Sequence, residues 1–166
     1  MFKLKQLLRS LSIRLFRLFH TRSFKAFGAH VYVFPGVAVE GAQHISLGDH
    51  VVIQDDTVVS VHPVDRGETP VGIHIGAGSN IGRRNHIYAL RQISIGEKVL
   101  TAANVYVSDC THEFTDPRLA IIDQPIKALT PVSIGEGTWI GQGACIIGCR
   151  IGRHCVIGAN SVVLND

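Results

Sequence analysis

Residues 134–145 read IGEGTW-IGQGAC, and residues 151–162 read IGRHCV-IGANSV. An isoleucine begins each six-residue unit, a glycine follows it, and a small or β-branched residue stands four positions after the isoleucine. The same rule holds from residue 75, where the chain reads IGAGSN-IGRRNH, and again at residues 47–60. Self-similarity at a fixed period indicates a repeat architecture.

The six-residue period predicts short strands joined by turns. A helix would need apolar residues three and four apart, which these units do not supply. Isoleucine, valine and threonine favour strands, and glycine adopts turn conformations that are closed to other residues. Three units then close one triangular coil, and stacked coils pair their backbones and bury a continuous core. A chain of 166 residues usually forms one domain, so we predict an all-β solenoid with an N-terminal α-helix.

The units resemble the hexapeptide repeats of the left-handed parallel β-helix acyltransferases over roughly residues 30–166. VYVSDCTHEFTDP at residues 105–117 and PVSIGEGTWIGQGACIIG at residues 131–148 are most similar to sugar O-acetyltransferases of polysaccharide and lipopolysaccharide assembly, in the maltose/galactoside acetyltransferase superfamily. The resemblance implies a left-handed parallel β-helix, a homotrimer, and acetyl-CoA in the groove between adjacent β-helices. We expect residues 1–28 to form a basic amphipathic helix and residues 29–166 the acyltransferase domain.

Two segments interrupt the repeat, at residues 61–72 and 113–133. The second contains Pro117, Pro125 and Pro131, so it cannot be a regular coil. A long excursion from a rigid scaffold is a usual place for a binding site. The resemblance implies that this loop closes over the active site of the neighbouring subunit.

His112 is the candidate catalytic base. It ends the last unit before the loop, and in the resemblance it occupies the position of the family's catalytic histidine, with Cys110 where relatives often carry His or Asn. Histidine suits the removal of a proton from a sugar hydroxyl because its pKa lies near working pH. Asp109 either orients His112 or caps a turn, and both roles stay open. A solvated loop histidine is the alternative for His112.

The resemblance also implies residues for the cofactor. Gln142 takes the place of a contact to the pantetheine arm of acetyl-CoA, and Ala159 that of a further backbone contact. Trp139 either walls the cofactor groove or packs at the trimer contact. The chain has no G-x-S-x-G elbow, so we expect direct transfer without an acyl-enzyme. Relatives continue beyond the position of Asp166, which implies either a shortened chain or a more open cofactor site.

No metal is expected. Cys110, Cys145, Cys149 and Cys155 form no C-x-x-C pair, so we interpret them as thiols in a reducing cytoplasm. The chain has no H-x-x-x-x-H, which argues against a β-helix carbonic anhydrase. Four histidines recur every twelve residues, and such a step moves to another face of a three-sided coil unless an insertion resets the register; they are His50, His62, His74 and His86.

The N-terminal segment is basic: residues 1–39 contain seven Lys or Arg and no Asp or Glu. Its leucines, at 4, 8, 11, 15 and 18, are spaced as one stripe of a helix. The segment is too charged to span a bilayer and has no signal-peptide pattern. Either it lies on anionic lipid as a peripheral contact through residues 1–20, or the stripe packs on its own domain or a sister subunit. Packing is favoured because such stripes are more often core.

The sequence therefore predicts a cytoplasmic acetyl-CoA:sugar O-acetyltransferase, peripheral at the inner face of the membrane if the lipid interpretation holds. The acceptor is expected to be a carbohydrate, with no nucleic acid as a partner. Two alternatives stay open. One is N-acetylation of an amino sugar, which needs less help from a base, and the other is a non-catalytic β-helix that serves as an assembly subunit.

Overall fold

The computed structural model describes residues 2–62 and 72–166, with side chains from residue 9 onward. The interruption predicted at residues 61–72 lies almost wholly outside the described residues. The chain begins with helix α1, Phe2–His20, and a 3-10 turn, Thr21–Ser23. In the described part of the chain, no helix has the length and apolar content needed to cross a bilayer.

Three six-stranded parallel sheets form the faces of a left-handed β-helix, and the chain visits them in turn. Sheet 1 contains β1 (Ala26–Phe27), β4 (Ile45–Leu47), β7 (Gly72–Ile75), β10 (Gln92–Ile95), β15 (Val132–Ile134) and β18 (Arg150–Ile151). Sheet 2 contains β2 (Tyr32–Val33), β5 (Val52–Ile53), β8 (Asn80–Ile81), β11 (Leu100–Thr101), β16 (Trp139–Ile140) and β19 (Val156–Ile157). Sheet 3 contains β3 (Ala38–Glu40), β6 (Val58–Val61), β9 (His86–Ala89), β12 (Tyr106–Ser108), β17 (Cys145–Ile147) and β20 (Val162–Val163). The predicted solenoid is confirmed.

The excursion leaves at the corner between sheets 3 and 1, after β12, and returns at β15. It contains an antiparallel hairpin of β13 (Cys110–His112) and β14 (Ile126–Ala128) and a 3-10 turn, Ile121–Asp123. A further 3-10 turn, Ala42–His44, lies at the same corner. Insertions are tolerated at this corner because the sheet pairing resumes in register on its far side, as Ile93 pairs with Val132.

The repeated apolar residues explain the core. Equivalent residues of successive coils stack in register, as in the row Leu47, Ile75, Ile95, Ile134. Each of these side chains is essentially without solvent exposure. Full burial of one such side chain stabilises the fold by about 1.5–3 kcal/mol. Rows of side chains that run along the axis of the β-helix therefore hold successive coils together.

Polar residues four positions after an isoleucine also point inward. Asn85 is buried; its amide nitrogen donates to Gly82 O at 2.9 Å and Thr101 Oγ1 at 2.7 Å. Its amide oxygen accepts from the backbone N–H of Val105 at 2.6 Å. Thr57 Oγ1 likewise donates to Gly82 O at 2.8 Å. Because buried polar groups are costly unless paired, these side chains link one coil to the next and fix their register.

Helix α1 packs on its own domain, as favoured from the sequence, but not through the leucine stripe. Arg9 Nη2 donates to Asp55 Oδ2 at 2.8 Å, and its guanidinium lies 3.9 Å from the centre of the Phe34 ring. Phe16 packs on Phe24 at 6.2 Å between ring centres. Leu11, Leu15 and Leu18 are exposed, so these leucines do not pack on the β-helix of their own chain.

Candidate active site

His112 lies at the end of β13, where the chain departs from the coil. Its backbone is opposite Ile126 in the β13–β14 hairpin, and its side chain is exposed. The excursion behind it is ordered by Gln124, which is buried and whose amide nitrogen donates to the carbonyls of Asp116 at 3.0 Å and Leu119 at 3.2 Å. The imidazole is thus held on a folded hairpin and stays accessible to small molecules.

Asp109 serves the scaffold. It is fully buried, and its carboxylate accepts hydrogen bonds from the backbone N–H groups of Leu90 at 2.7 Å, Arg91 at 2.8 Å and Gln92 at 2.7 Å. Its backbone carbonyl accepts from Leu129 N at 2.8 Å. Within the described residues it makes no hydrogen bond to His112. These hydrogen bonds have the geometry of a turn cap, one of the two roles that the sequence left open.

Cys110 is the first residue of β13 and its side chain is buried, which accounts for a small side chain in that place. Its Sγ lies 3.3 Å from Ser108 Oγ, and its backbone N–H donates to the same hydroxyl at 3.1 Å. Burial raises the pKa of the Cys110 thiol above its ordinary value. A thiol with a raised pKa is a poor nucleophile, so Cys110 fills space against Ser108 and does not compete with His112 for a reactive role.

Sequence reasoning missed a line of rings on the outer face of sheet 3. His62 stacks on Tyr88 with 5.2 Å between ring centres. His86 makes edge contacts with Tyr88 at 6.3 Å and Tyr106 at 5.7 Å. We call these four residues the ring strip. His62 and His86 are two steps apart in the twelve-residue histidine series, which was the available signal. The insertion between them changes the register, and both rings contact Tyr88.

A carboxylate closes one end of the ring strip. Glu40 Oε2 accepts from Ser60 Oγ at 2.8 Å and lies 2.9 Å from His62 Nε2. The Ser60 hydrogen bond, followed by that of His62, lowers the pKa of Glu40. Burial raises the pKa of the Tyr88 phenol. Glu40 is thus an anion and Tyr88 a neutral hydroxyl group near neutral pH, so the strip offers both an acceptor and a donor of hydrogen bonds.

His112 and the ring strip belong to consecutive strands. Tyr106 of the strip lies on β12, and β13, which ends at His112, follows it along the chain. The exposed imidazole therefore lies six residues beyond the strip, where the chain leaves sheet 3.

The three residues predicted for the cofactor lie on another side of the molecule. Trp139 is 48% exposed on the outer face of sheet 2, in register with the exposed Leu100 and Val156. Gln142 and Ala159 follow at the corner between sheets 2 and 3, where Asn160 N donates to Gln142 O at 2.8 Å. These residues share one surface, but a single chain does not bring them to His112.

The corner of Gln142 and Ala159 is built so that coils approach closely. A Cβ added to Gly141 would lie 2.6 Å from the backbone nitrogen of Ala159, a distance at which the two cannot coexist. The glycine at this place is therefore required by the stacking of this coil on the next. Among the described residues, no three His, Cys, Asp or Glu side chains are grouped as a metal ion would need.

Comparisons with known proteins agree with the repeat. Residues 131–165 match the family model of the hexapeptide repeat of succinyl-transferase. A probable acetyltransferase of Mycobacterium tuberculosis is 33% identical over 137 residues, which is 82% of this chain and 41% of that protein. A putative lipopolysaccharide biosynthesis O-acetyl transferase of Escherichia coli is 33% identical over 47% of this chain and 43% of its own length.

The fold is shared with a solved N-acyltransferase from Bacillus cereus, crystallised with dTDP-4-amino-4,6-dideoxyglucose and coenzyme A. The two structures superpose with a TM-score of 0.75 over 90% of this chain and 78% of that chain, at 20% identity. The resemblance to hexapeptide-repeat acetyltransferases that the sequence indicated is confirmed. This chain spans less than half the length of either curated relative.

Proposed function

We propose that this chain, which carries the hexapeptide repeats of the left-handed β-helix acyltransferases and resembles them along most of its length, transfers an acetyl group from acetyl-CoA to a sugar hydroxyl. The observation that carries the proposal is an exposed His112 at the end of β13, one strand after the ring strip, at the point where the chain leaves a rigid coil. Similarity to proteins named acetyltransferases supports the reaction class.

The chemistry needs one base. His112 removes the proton of the acceptor hydroxyl while its oxygen attacks the thioester carbonyl. The tetrahedral oxyanion accepts hydrogen bonds from backbone N–H groups. It collapses with cleavage of the C–S bond, and coenzyme A leaves as the thiol with the proton that His112 carried. Asp109 contributes to this step only by fixing the corner from which β13 departs.

The donor site is proposed at Trp139, Gln142 and Ala159, with Trp139 walling the groove. Because these residues lie on a different side from His112, one chain does not unite base and donor. A second copy laid against sheet 2 supplies the missing half, which supports a homotrimer with sites between subunits. An interface between two different surfaces of the same chain is heterologous, and it generates a closed ring when the rotation between the copies closes.

The acceptor is proposed to be a carbohydrate of polysaccharide or lipopolysaccharide assembly, reached on the cytoplasmic side of the membrane. Sugar hydroxyls suit the hydrogen-bonding pair of Glu40 and Tyr88, and the rings of the strip offer apolar faces. Tyr88→Ala should raise the KM for the acceptor and leave the KM for acetyl-CoA unchanged. A raised KM for acetyl-CoA with an unchanged KM for the acceptor would show that the acceptor does not bind at the ring strip.

The test is release of free coenzyme A from acetyl-CoA, followed across a panel of sugars, nucleotide sugars and lipid-linked sugars. His112→Ala should lower kcat/KM by about 100-fold to 10,000-fold. His74→Ala is the matched control, since His74 is exposed on sheet 1 and lies away from the site. Equal activity of the two variants would sink the assignment of His112.

The same assay separates the alternatives. An amine acceptor is already nucleophilic, so N-transfer should survive His112→Ala far better than O-transfer does. A non-catalytic assembly subunit would release no coenzyme A with any acceptor and would show no binding of acetyl-CoA.

A further inference from the structure

Helix α1 has two apolar faces, and the β-helix covers only one. The covered face follows Arg9, Ile13 and Phe16, spaced i, i+4 and i+7. Arg9 is tied to Asp55 at 2.8 Å, and Phe16 packs on the hydrophobic core. Ile13 is half-buried. These contacts fix the rotation of the helix about its axis, and so determine which residues face away from the domain.

The second face is exposed. Leu11, Leu15, Leu18 and Phe19 are 50%, 44%, 73% and 69% exposed. Their spacing from Leu11 is i, i+4, i+7 and i+8, so they form one stripe. At 3.6 residues per turn this stripe lies roughly opposite the covered face. We call these four residues the leucine face. Large apolar side chains gathered on a surface in this way mark an interaction site.

The charge around the leucine face selects its occupant. Arg14 is exposed next to Leu18, one turn along the helix, and Arg17 is exposed on the next turn. Residues 1–39 contain seven Lys or Arg and no acid. Two copies of α1 packed face to face would bring like charges together, which disfavours self-association. An anionic bilayer complements both properties, because it accepts apolar side chains at its interface and attracts basic ones.

We propose that the leucine face inserts into the surface of an anionic phospholipid bilayer, with α1 lying in the plane of the membrane. The inference depends on the helix alone and does not require the proposed transferase activity. Docking in this orientation holds the first coil of the β-helix against the bilayer, because α1 is fastened there through Arg9 and Phe16.

Co-sedimentation of the full chain with vesicles tests the proposal. We expect binding to vesicles of phosphatidylglycerol and phosphatidylethanolamine, at least tenfold weaker binding to phosphatidylcholine, and loss of binding as salt rises and screens the arginines. Leu15→Gln with Leu18→Gln should weaken binding about tenfold or more. Arg14→Gln with Arg17→Gln should weaken it only on anionic vesicles.

Val162→Gln with Leu164→Gln is the matched control, because both residues are exposed and apolar at the far end of the β-helix. Circular dichroism and thermal melting establish that every variant is folded. Unchanged binding in the leucine variant overturns the proposal. The proposal is also overturned if the native chain does not bind vesicles and the leucine variant has a different oligomeric mass by light scattering. The leucine face would then be covered by a second copy of the chain.

Discussion

The carboxylate of Asp109 lies 2.7 Å from the backbone nitrogen of Leu90, nineteen residues earlier in the chain. The same carboxylate also accepts from the N–H groups of Arg91 and Gln92. Residues 90 and 91 join β9 to β10 at the corner from which the excursion leaves one coil later. One buried side chain thus closes a turn in the coil below and anchors the base of the hairpin that carries His112.

Asp109→Ala should destabilise the protein by about 3–5 kcal/mol, because three buried N–H groups lose a charged partner at once. The measurement is urea unfolding at one fixed protein concentration, since the stability of an oligomer depends on concentration. Asp109→Asn keeps one acceptor oxygen and should recover part of the loss.

The pH dependence of transfer distinguishes this structural role from a catalytic one. If Asp109 acts only as a cap, folded Asp109→Asn should keep the pH–rate profile of the native enzyme. If Asp109→Asn has native stability but a shifted pH–rate profile and a lower kcat, the turn-cap role alone is contradicted. Asp109 would then orient His112.

Asn85→Ala should cost about 2–4 kcal/mol of unfolding free energy, because Val105 N–H, Gly82 C=O and Thr101 Oγ1 lose a buried partner and a cavity remains. Asn80→Ala is the control. Asn80 Oδ1 accepts from Gln54 Nε2 at 2.9 Å near the surface, so its removal should cost under about 1 kcal/mol. Equal losses measured by urea unfolding would show that the interior polar ladder does not hold the coils in register.

The sequence predicted the coil because every unit repeats the same local requirement. Leu47, Ile75 and Ile95 each demand an inward position, and Gly141 has no space for a side chain. The partners of Asp109 were not predictable in this way, since they belong to a corner with no repeat. The ring strip was missed for a related reason, because His62 and His86 both reach Tyr88 only after the insertion between them changes the register.

The leucine stripe shows a different limit. Periodicity indicated that Leu11, Leu15 and Leu18 share a side of α1, which is confirmed. It could not show which side the β-helix would cover, because Arg9 and Phe16 also share a side and make better contacts with Asp55, Phe34 and Phe24. A helix with two apolar faces leaves the choice to tertiary packing.

Trp139 is the chain's single tryptophan, so its fluorescence reports on the proposed donor groove directly. Titration with coenzyme A should change the intensity of this emission and saturate. Gln142→Ala is the variant to compare, because it adds no second fluorophore as Ala159→Trp would. It should weaken the affinity for coenzyme A and leave the emission spectrum of the free protein unchanged. A spectrum that does not respond to coenzyme A, while isothermal calorimetry shows binding, would place the cofactor elsewhere.

Complementation between two inactive variants tests whether the site is shared by two copies. His112→Ala removes the base, and Ala159→Trp places a bulky side chain in the donor groove at an exposed position. Co-expressed with different tags and purified through both, the two chains should form mixed oligomers in which some interfaces unite an intact His112 with an intact groove. In a trimer that contains both variants, one interface of the three unites an intact His112 with an intact groove, which predicts about a third of the native activity per site. If base and groove instead belong to the same chain, the mixed oligomers should be no more active than the two variants measured alone.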